Sequence, residues 1–185
     1  YRSAFHATSE EQECERALQH LRDVIAVEGP GTVAAIILET VVGTNGILVP
    51  PDGYLAGVRE ICDEHGIVMI ADEVMAGFAR CGEWFAIQRW GVTPDLITFA
   101  KGVNSGYVPL GGVLVSQAIR DTFADRPYPG GLTYSGHPLA CAAAVATMNA
   151  MAEEKIVDNA ATIGETVLGP GLRELADAVQ APAVP

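Results

Sequence analysis

The stretches Ile67-Val68-Met69-Ile70-Ala71-Asp72-Glu73 and Leu96-Ile97-Thr98-Phe99-Ala100-Lys101 decide how this chain is to be read. Each is an apolar run of strand length that ends in ionisable groups. Upstream, Val33-Ala34-Ala35-Ile36-Ile37-Leu38 is a third run, ending at Glu39, and downstream Gly111-Gly112-Val113-Leu114-Val115 is a fourth. Strands without polar alternation belong to sheets buried on both faces, which is the habit of parallel sheets. The segments between them have helical spacing. Ser9-Glu10-Glu11-Gln12 resembles a capping box ahead of a helix to about Val27; Asp52 is placed to cap a helix to about His65, where Gly66 stops it. A short aromatic helix lies near Trp84 to Trp90. Pro138 takes the first position of an Ala-rich helix to about Glu154, and a last helical stretch reaches about Val179. Strands alternating with helices predict an α/β fold, a mostly parallel sheet covered by helices on both faces.

The 185 residues are 49% hydrophobic and 18% charged, enough apolar material for one globular domain. Against 23 Asp and Glu stand 11 Lys and Arg, and the net charge of −12 repels phosphate backbones and anionic lipid. Nucleic acid is not an expected partner. No uncharged apolar run reaches the ~20 residues of a membrane span, and Tyr1-Arg2-Ser3 does not begin a signal peptide. The expectation is a cytoplasmic chain with no membrane partner. Cys14, Cys62, Cys81 and Cys141 are widely spaced, with no CxxC pair, and predict reduced thiols. Cys62 and His65 lack a partner pair, so no metal is expected. The tail from Gln180 to Pro185 is expected to fray.

Three successive strands end in ionisable residues, Glu39, Asp72 and Lys101. Ligands of open α/β sheets bind beyond the carboxyl ends of the strands, so one crevice can receive all three. Lys101 is one of two lysines, and it follows an apolar strand and precedes Gly102. Desolvated there, its amine is able to attack a carbonyl; alternatively it snorkels to water. Asp72 precedes it by 29 residues, close to the ~30 of a strand-helix-strand unit that sets two strand ends side by side. A lysine for the imine and an acid for the pyridinium nitrogen are what pyridoxal 5'-phosphate requires. The alternative for Asp72 is a turn cap. Glu73, one residue on, faces the other way and is read as structural.

Further segments carry a resemblance. Ala35-Ile36-Ile37-Leu38-Glu39, Ile70-Ala71-Asp72-Glu73-Val74 with Gly77-Phe78, Pro94-Asp95-Leu96-Ile97-Thr98-Phe99-Ala100-Lys101-Gly102, Pro109-Leu110-Gly111-Gly112 and Thr133-Tyr134-Ser135-Gly136-His137-Pro138 resemble, in order and spacing, the class III or omega-aminotransferases. These are fold type I pyridoxal-phosphate enzymes, and the likeness runs from about residue 33 to 154. It implies that residues 1–179 are part of the large, cofactor-binding domain. An upstream phosphate-binding segment and a downstream small domain are expected to lie outside this sequence, so that the isolated chain binds cofactor weakly and turns over slowly.

By that resemblance Lys101 is the Schiff-base lysine and proton shuttle, Asp72 the pyridinium partner, and Val74 the apolar wall on the ring face. Met75 stands where many relatives carry Gln near the ring oxygen. Glu39 resembles the glutamate that orders the substrate pocket, its alternative being a turn cap. Thr133 corresponds to the threonine that binds the cofactor phosphate across a homodimer interface, its alternative being a helix cap. His137 is read as a turn residue and Cys81 as inert. Ala79 replaces a usual Gly in the loop Gly77 to Gly82, at a cost of ~1 kcal/mol if the backbone turns left-handed there. The implied activity is transfer of an amino group from an amine or amino acid to an oxo acid. Rivals are an aminomutase or decarboxylase of the same fold, and a non-catalytic remnant acting as a dimerisation module. A Rossmann nucleotide site is excluded by the lack of GxGxxG and GxxxxGK[ST].

Overall fold

The structure, a computed structural model, describes residues 5–179. The tail from Gln180 and the opening Tyr1-Arg2-Ser3 lie outside them. Helix α1 (Glu10–Glu28) begins at Ser9, whose hydroxyl accepts from the Gln12 N–H, while the Gln12 side chain reaches back to Thr8 rather than to the cap itself. Glu10, Glu11 and Glu13 in its first turn complement the helix dipole. Helix α2 (Tyr54–His65) ends at Gly66 with φ 66° as expected. Its start departs from expectation. Gly53, at φ 83°, is the cap residue and no side chain caps the helix, because the Tyr54 N–H closes a turn onto Pro51 and leaves Asp52 a position too early.

Strands β1 (Ala35–Glu39), β2 (Val68–Asp72), β3 (Leu96–Phe99) and β4 (Gly112–Val115) form one sheet in that order. The first three run parallel and β4 is antiparallel to β3. Register aligns Ile37, Ile70, Leu96 and Val115 in one cross-strand row, and Glu39, Asp72, Thr98 and Val113 in the next. Side chains alternate between faces, so both rows share a face. On the other face, Ile36, Leu38, Met69 and Ile97 pack against Ile25 of α1 and Leu55, Val58, Ile61 and Cys62 of α2. Gly57 lets α1 and α2 approach closely, since a Cβ there would overlap the Leu18 side chain of α1.

Among the described residues the first face is only partly covered. Ile37, Val113 and Val115 are 61%, 52% and 50% exposed. The helices α1 and α2 that bury the core lie on the opposite face. Beyond β4 come the short helix α3 (Gln117–Asp121), which sequence reading missed, and then α4 (Pro138–Glu153) and α5 (Ile156–Ile163). A π-turn, Gly164–Leu168, leads into α6 (Gly169–Val179). The aromatic helix is a 3-10 segment, Ala86–Trp90. None of the described helices is long and apolar enough to cross a membrane.

Asp95 ties these layers together. Its carboxylate accepts from Arg59 of α2 at 2.8 Å and from the Met69 N–H of β2 at 2.8 Å, and its backbone pairs with Met69 and Ser116. Burial pushes its carboxyl up, but the Arg59 hydrogen bond, the Met69 N–H and the Arg59 charge outweigh that and hold it below the usual carboxylate range. A group depressed in the folded state stabilises above its unfolded pKa, and that stabilisation is lost as pH falls through its folded pKa. Asp95→Asn is expected to cost ~1–3 kcal/mol at neutral pH. Urea midpoints of the two proteins should converge as the medium is made acidic.

Candidate active site

Lys101 follows the end of β3. After Ala100 the chain enters a 3-10 turn, Lys101–Val103, closed by a bond from the Val103 N–H to the Ala100 carbonyl at 3.1 Å. Lys101 itself sits at φ 40°, a left-handed conformation that costs a non-glycine residue about 1–2 kcal/mol. Packing enforces the turn. Gly102 presses so closely on Phe78 that a Cβ would stand 2.7 Å from the Phe78 Cβ, and Phe78 stacks edge-on against Phe85 and Phe99 with centroids 5.5 and 5.7 Å away. The expected dry surroundings are not formed by the described residues: Lys101 is exposed. It lines two open cavities. One of about 490 Å³ is bounded by Asn104, Val108, Pro109 and Leu110, and one of about 740 Å³ by Phe78, Arg80, Tyr107 and Met151.

Asp72 is the last residue of β2 and half-buried. Its Oδ1 accepts from the Val74 N–H at 3.0 Å, closing the turn that follows the strand. Because β2 and β3 are adjacent and parallel, Asp72 pairs in register with Thr98, three residues before Lys101. The two strand ends are thus side by side, although Asp72 lines neither cavity. Glu39 is its register partner on the other side, and the Glu39 Oε2 accepts from the Gly43 N–H at 2.9 Å, the turn-capping geometry. Met75 packs over Gly43, where an added Cβ would meet the Met75 Cγ at 2.9 Å. Val74 is half-buried between Glu73 and Met75.

Glu73 has the structural part read from the sequence, in a form the sequence did not disclose. Its side chain is fully buried, and its two oxygens accept from the Thr40 hydroxyl and from the backbone N–H groups of Ala86 and Ile87 at 2.9 and 2.8 Å. It anchors the start of the 3-10 segment beneath the site. The loop carrying Ala79 forms despite the substitution: Phe78 and Ala79 take φ 56° and 70°, and the Arg80 Nε donates to the Met75 carbonyl at 2.6 Å.

Thr133 lies apart, in an exposed turn ahead of α4 where Gly136 has φ 68°. The N-terminal cap of α4 is His137, with no side-chain hydrogen bond, so neither Thr133 nor Ser135 caps the helix. The structure brings Thr133 to neither cavity. Thr98 was missed by sequence reading. Its Oγ1 is buried with no hydrogen-bond partner, and the only signal was a hydroxyl within an apolar run.

The cysteines Cys14, Cys62, Cys81 and Cys141 are all unpaired. Burial pushes the Cys81 thiol up, and the Glu73 charge adds to this against Arg89 and Arg80; burial likewise raises Cys14 and Cys62. Thiolate, the reactive form, is disfavoured at all three. Iodoacetamide is expected to modify exposed Cys141 first, the others only on unfolding, as peptide mass mapping would record.

The family model described as aminotransferase class-III matches residues 1–183. The omega-aminotransferase of Caulobacter vibrioides is 45% identical over 168 residues, covering 86% of this chain and 38% of that protein. The beta-alanine–pyruvate aminotransferase of Pseudomonas aeruginosa is 42% identical over 150 residues, covering 77% of this chain and 34% of that protein. Among solved structures, an (S)-enantioselective omega-transaminase from Thermomicrobium roseum superimposes with a TM-score of 0.88 at 43% identity, over 98% of this chain and 40% of its own. The taurine:2-oxoglutarate aminotransferase from Bifidobacterium kashiwanohense, solved in complex with PLP and glutamate, also gives 0.88, at 48% identity over 93% of this chain and 38% of its own. The chain therefore spans well under half the length of these relatives. With a family model covering nearly every residue and a mixed α/β sheet that superimposes on solved transaminases, this chain belongs to the class-III aminotransferase family.

Proposed function

We propose that this chain is the central part of the large domain of a pyridoxal-phosphate-dependent aminotransferase, which moves an amino group from an amine or amino acid to an oxo acid. The observation that carries the reading is the pair of neighbouring parallel strand ends, one bearing Asp72 and the other leading into Lys101. The residues fit the cofactor: an exposed amine on a rigid turn, a half-buried carboxylate one strand away, and an unpartnered hydroxyl beside that carboxylate. When bound, the cofactor supplies an electron sink for charge developing at the substrate carbon.

The chain's own residues have distinct tasks in this reading. The Lys101 Nζ holds the cofactor covalently and carries the proton to and from the substrate carbon. Asp72 keeps the ring nitrogen protonated, as a carboxylate beside a basic nitrogen favours its charged form. Val74 walls the ring, Met75 stands near the ring oxygen, Glu39 orders the substrate pocket, and Thr133 binds phosphate across the interface of a homodimer. A cytoplasmic setting agrees with the four unpaired cysteines.

The exposure of Lys101 favours a second reading, a non-catalytic module of the same fold. One experiment separates the two. The chain is incubated with pyridoxal phosphate, reduced with borohydride and mapped by peptide mass. Stoichiometric label on Lys101 supports the enzymatic reading; label confined to Lys155 or the amino terminus supports the module. Alanine formation from pyruvate and an amino donor then distinguishes aminotransfer from isomerisation or decarboxylation.

A further inference from the structure

Thr98 retains a group that this fold does not use. Three buried side-chain atoms lack a hydrogen-bond partner among the described residues: Glu13 Oε2, Arg59 Nε and Thr98 Oγ1. Arg59 belongs to a guanidinium whose other nitrogens pair with Asp63 and Asp95, whereas the Thr98 hydroxyl has nothing. Leaving a buried hydroxyl unpaired costs free energy, and valine would fill the same volume with the same branching at no such cost. The orphan lies on the sheet face shared by Glu39 and Asp72, in register with Asp72 itself. Neighbouring strands lie about 4.8 Å apart, so side chains in register on one face are within reach of a hydroxyl after one rotamer change. The Asp72 Oδ1 is engaged by the Val74 N–H, which leaves its other oxygen to receive a further donor.

We infer that Thr98 is a positioning residue for Asp72: when a protonated ring nitrogen engages that carboxylate, the Thr98 hydroxyl donates to it, fixing its plane and its charge. The inference rests on the reading of Asp72 as the partner of the cofactor's ring nitrogen. A threonine rather than a valine at the third position before Lys101 then has a physical reason, since the bond is made only in the loaded state.

The test uses the whole chain with pyridoxal phosphate as the probe, comparing the parent with Thr98→Val, Thr98→Ser, Asp72→Asn and the Thr98→Val/Asp72→Asn double variant. Equilibrium dialysis gives the dissociation constant, and thermal melts without cofactor report the fold. Expected is a Thr98→Val protein that melts no lower than the parent without cofactor, yet binds about 5- to 10-fold more weakly. Thr98→Ser should restore the affinity, and Thr98→Val should add no loss in the Asp72→Asn background. Unchanged affinity in Thr98→Val, an equal loss with and without Asp72, or a lower melt of the cofactor-free variant overturns the positioning role alone. A parent that binds no cofactor, or an Asp72→Asn variant that binds as the parent does, overturns the underlying reading as well.

Discussion

Glu73→Ala is expected to lose about 3–5 kcal/mol of folding stability, a large share of the ~5–15 kcal/mol that a domain possesses. The substitution strands three donors at once: the Thr40 hydroxyl and the N–H groups of Ala86 and Ile87, the bonds to which are all buried. Each unpaired buried donor costs ~1–3 kcal/mol, and the vacated volume adds a cavity. The carboxylate, just after β2, ties two other places in the chain, the turn after β1 and the 3-10 segment, so the loss loosens the support under the site as well as the global fold. Glu73→Gln should fall between. Its amide keeps an oxygen for two donors but turns an NH₂ toward a third, and the expected cost is ~1–2 kcal/mol. Chemical denaturation of the three proteins checks the order. Equal midpoints for Glu73→Ala and the parent would show that solvent replaces the carboxylate, contrary to its complete burial.

Lys101→Ala is expected to abolish borohydride-fixed cofactor on the peptide that carries residue 101 and to lower any amino-transfer rate by about 10³-fold, the order by which a positioned proton-transfer group accelerates such steps. Its fold should be untouched. The side chain is exposed, and alanine carries the same Cβ into the left-handed turn, so the melting temperature should match the parent within the ~0.5 kcal/mol typical of surface changes. Lys101→Gly should be slightly more stable still, because glycine relieves φ 40° without strain. Lys101→Arg retains the charge but not a nucleophilic amine and should be as inactive as alanine. Loss of label with an unchanged melt ties the chemistry to the amine itself. A Lys101→Ala protein that still transfers amino groups at the parental rate would remove Lys101 from the mechanism.

What could be read from the sequence was the skeleton. Apolar runs ending at Glu39, Asp72 and Phe99-Ala100-Lys101 located three strands to within two residues, and the 29-residue interval correctly set β2 beside β3. Hydrophobic runs state which surface needs cover and are silent about which segment supplies it, so the partial exposure of Ile37, Val113 and Val115 could not be foreseen. The misplaced cap at Asp52 has a local cause: two prolines and a left-handed Gly53 take up the turn before the helix. Helix α3 did carry a signal. Ser116 accepts from the Ile119 N–H as an ordinary cap, but five residues are too short a run for helical periodicity to show. The Glu73 bonds join residues 33 and 13 or 14 positions apart, a convergence that pattern reading does not resolve. Thr98 was hidden by its company, since one hydroxyl in an apolar run looks like tolerated strand threonine until its lack of a partner is seen.

The partly uncovered sheet face governs how this chain behaves as a colloid. Ile37, Val113 and Val115 offer an apolar surface, and mutual repulsion from a net charge of −12 on each molecule opposes non-specific association through it. Concentrated salt shortens the range of that repulsion, and titration toward the isoelectric point near 4.6 abolishes it, so the chain handles best in dilute buffer on the alkaline side of neutrality.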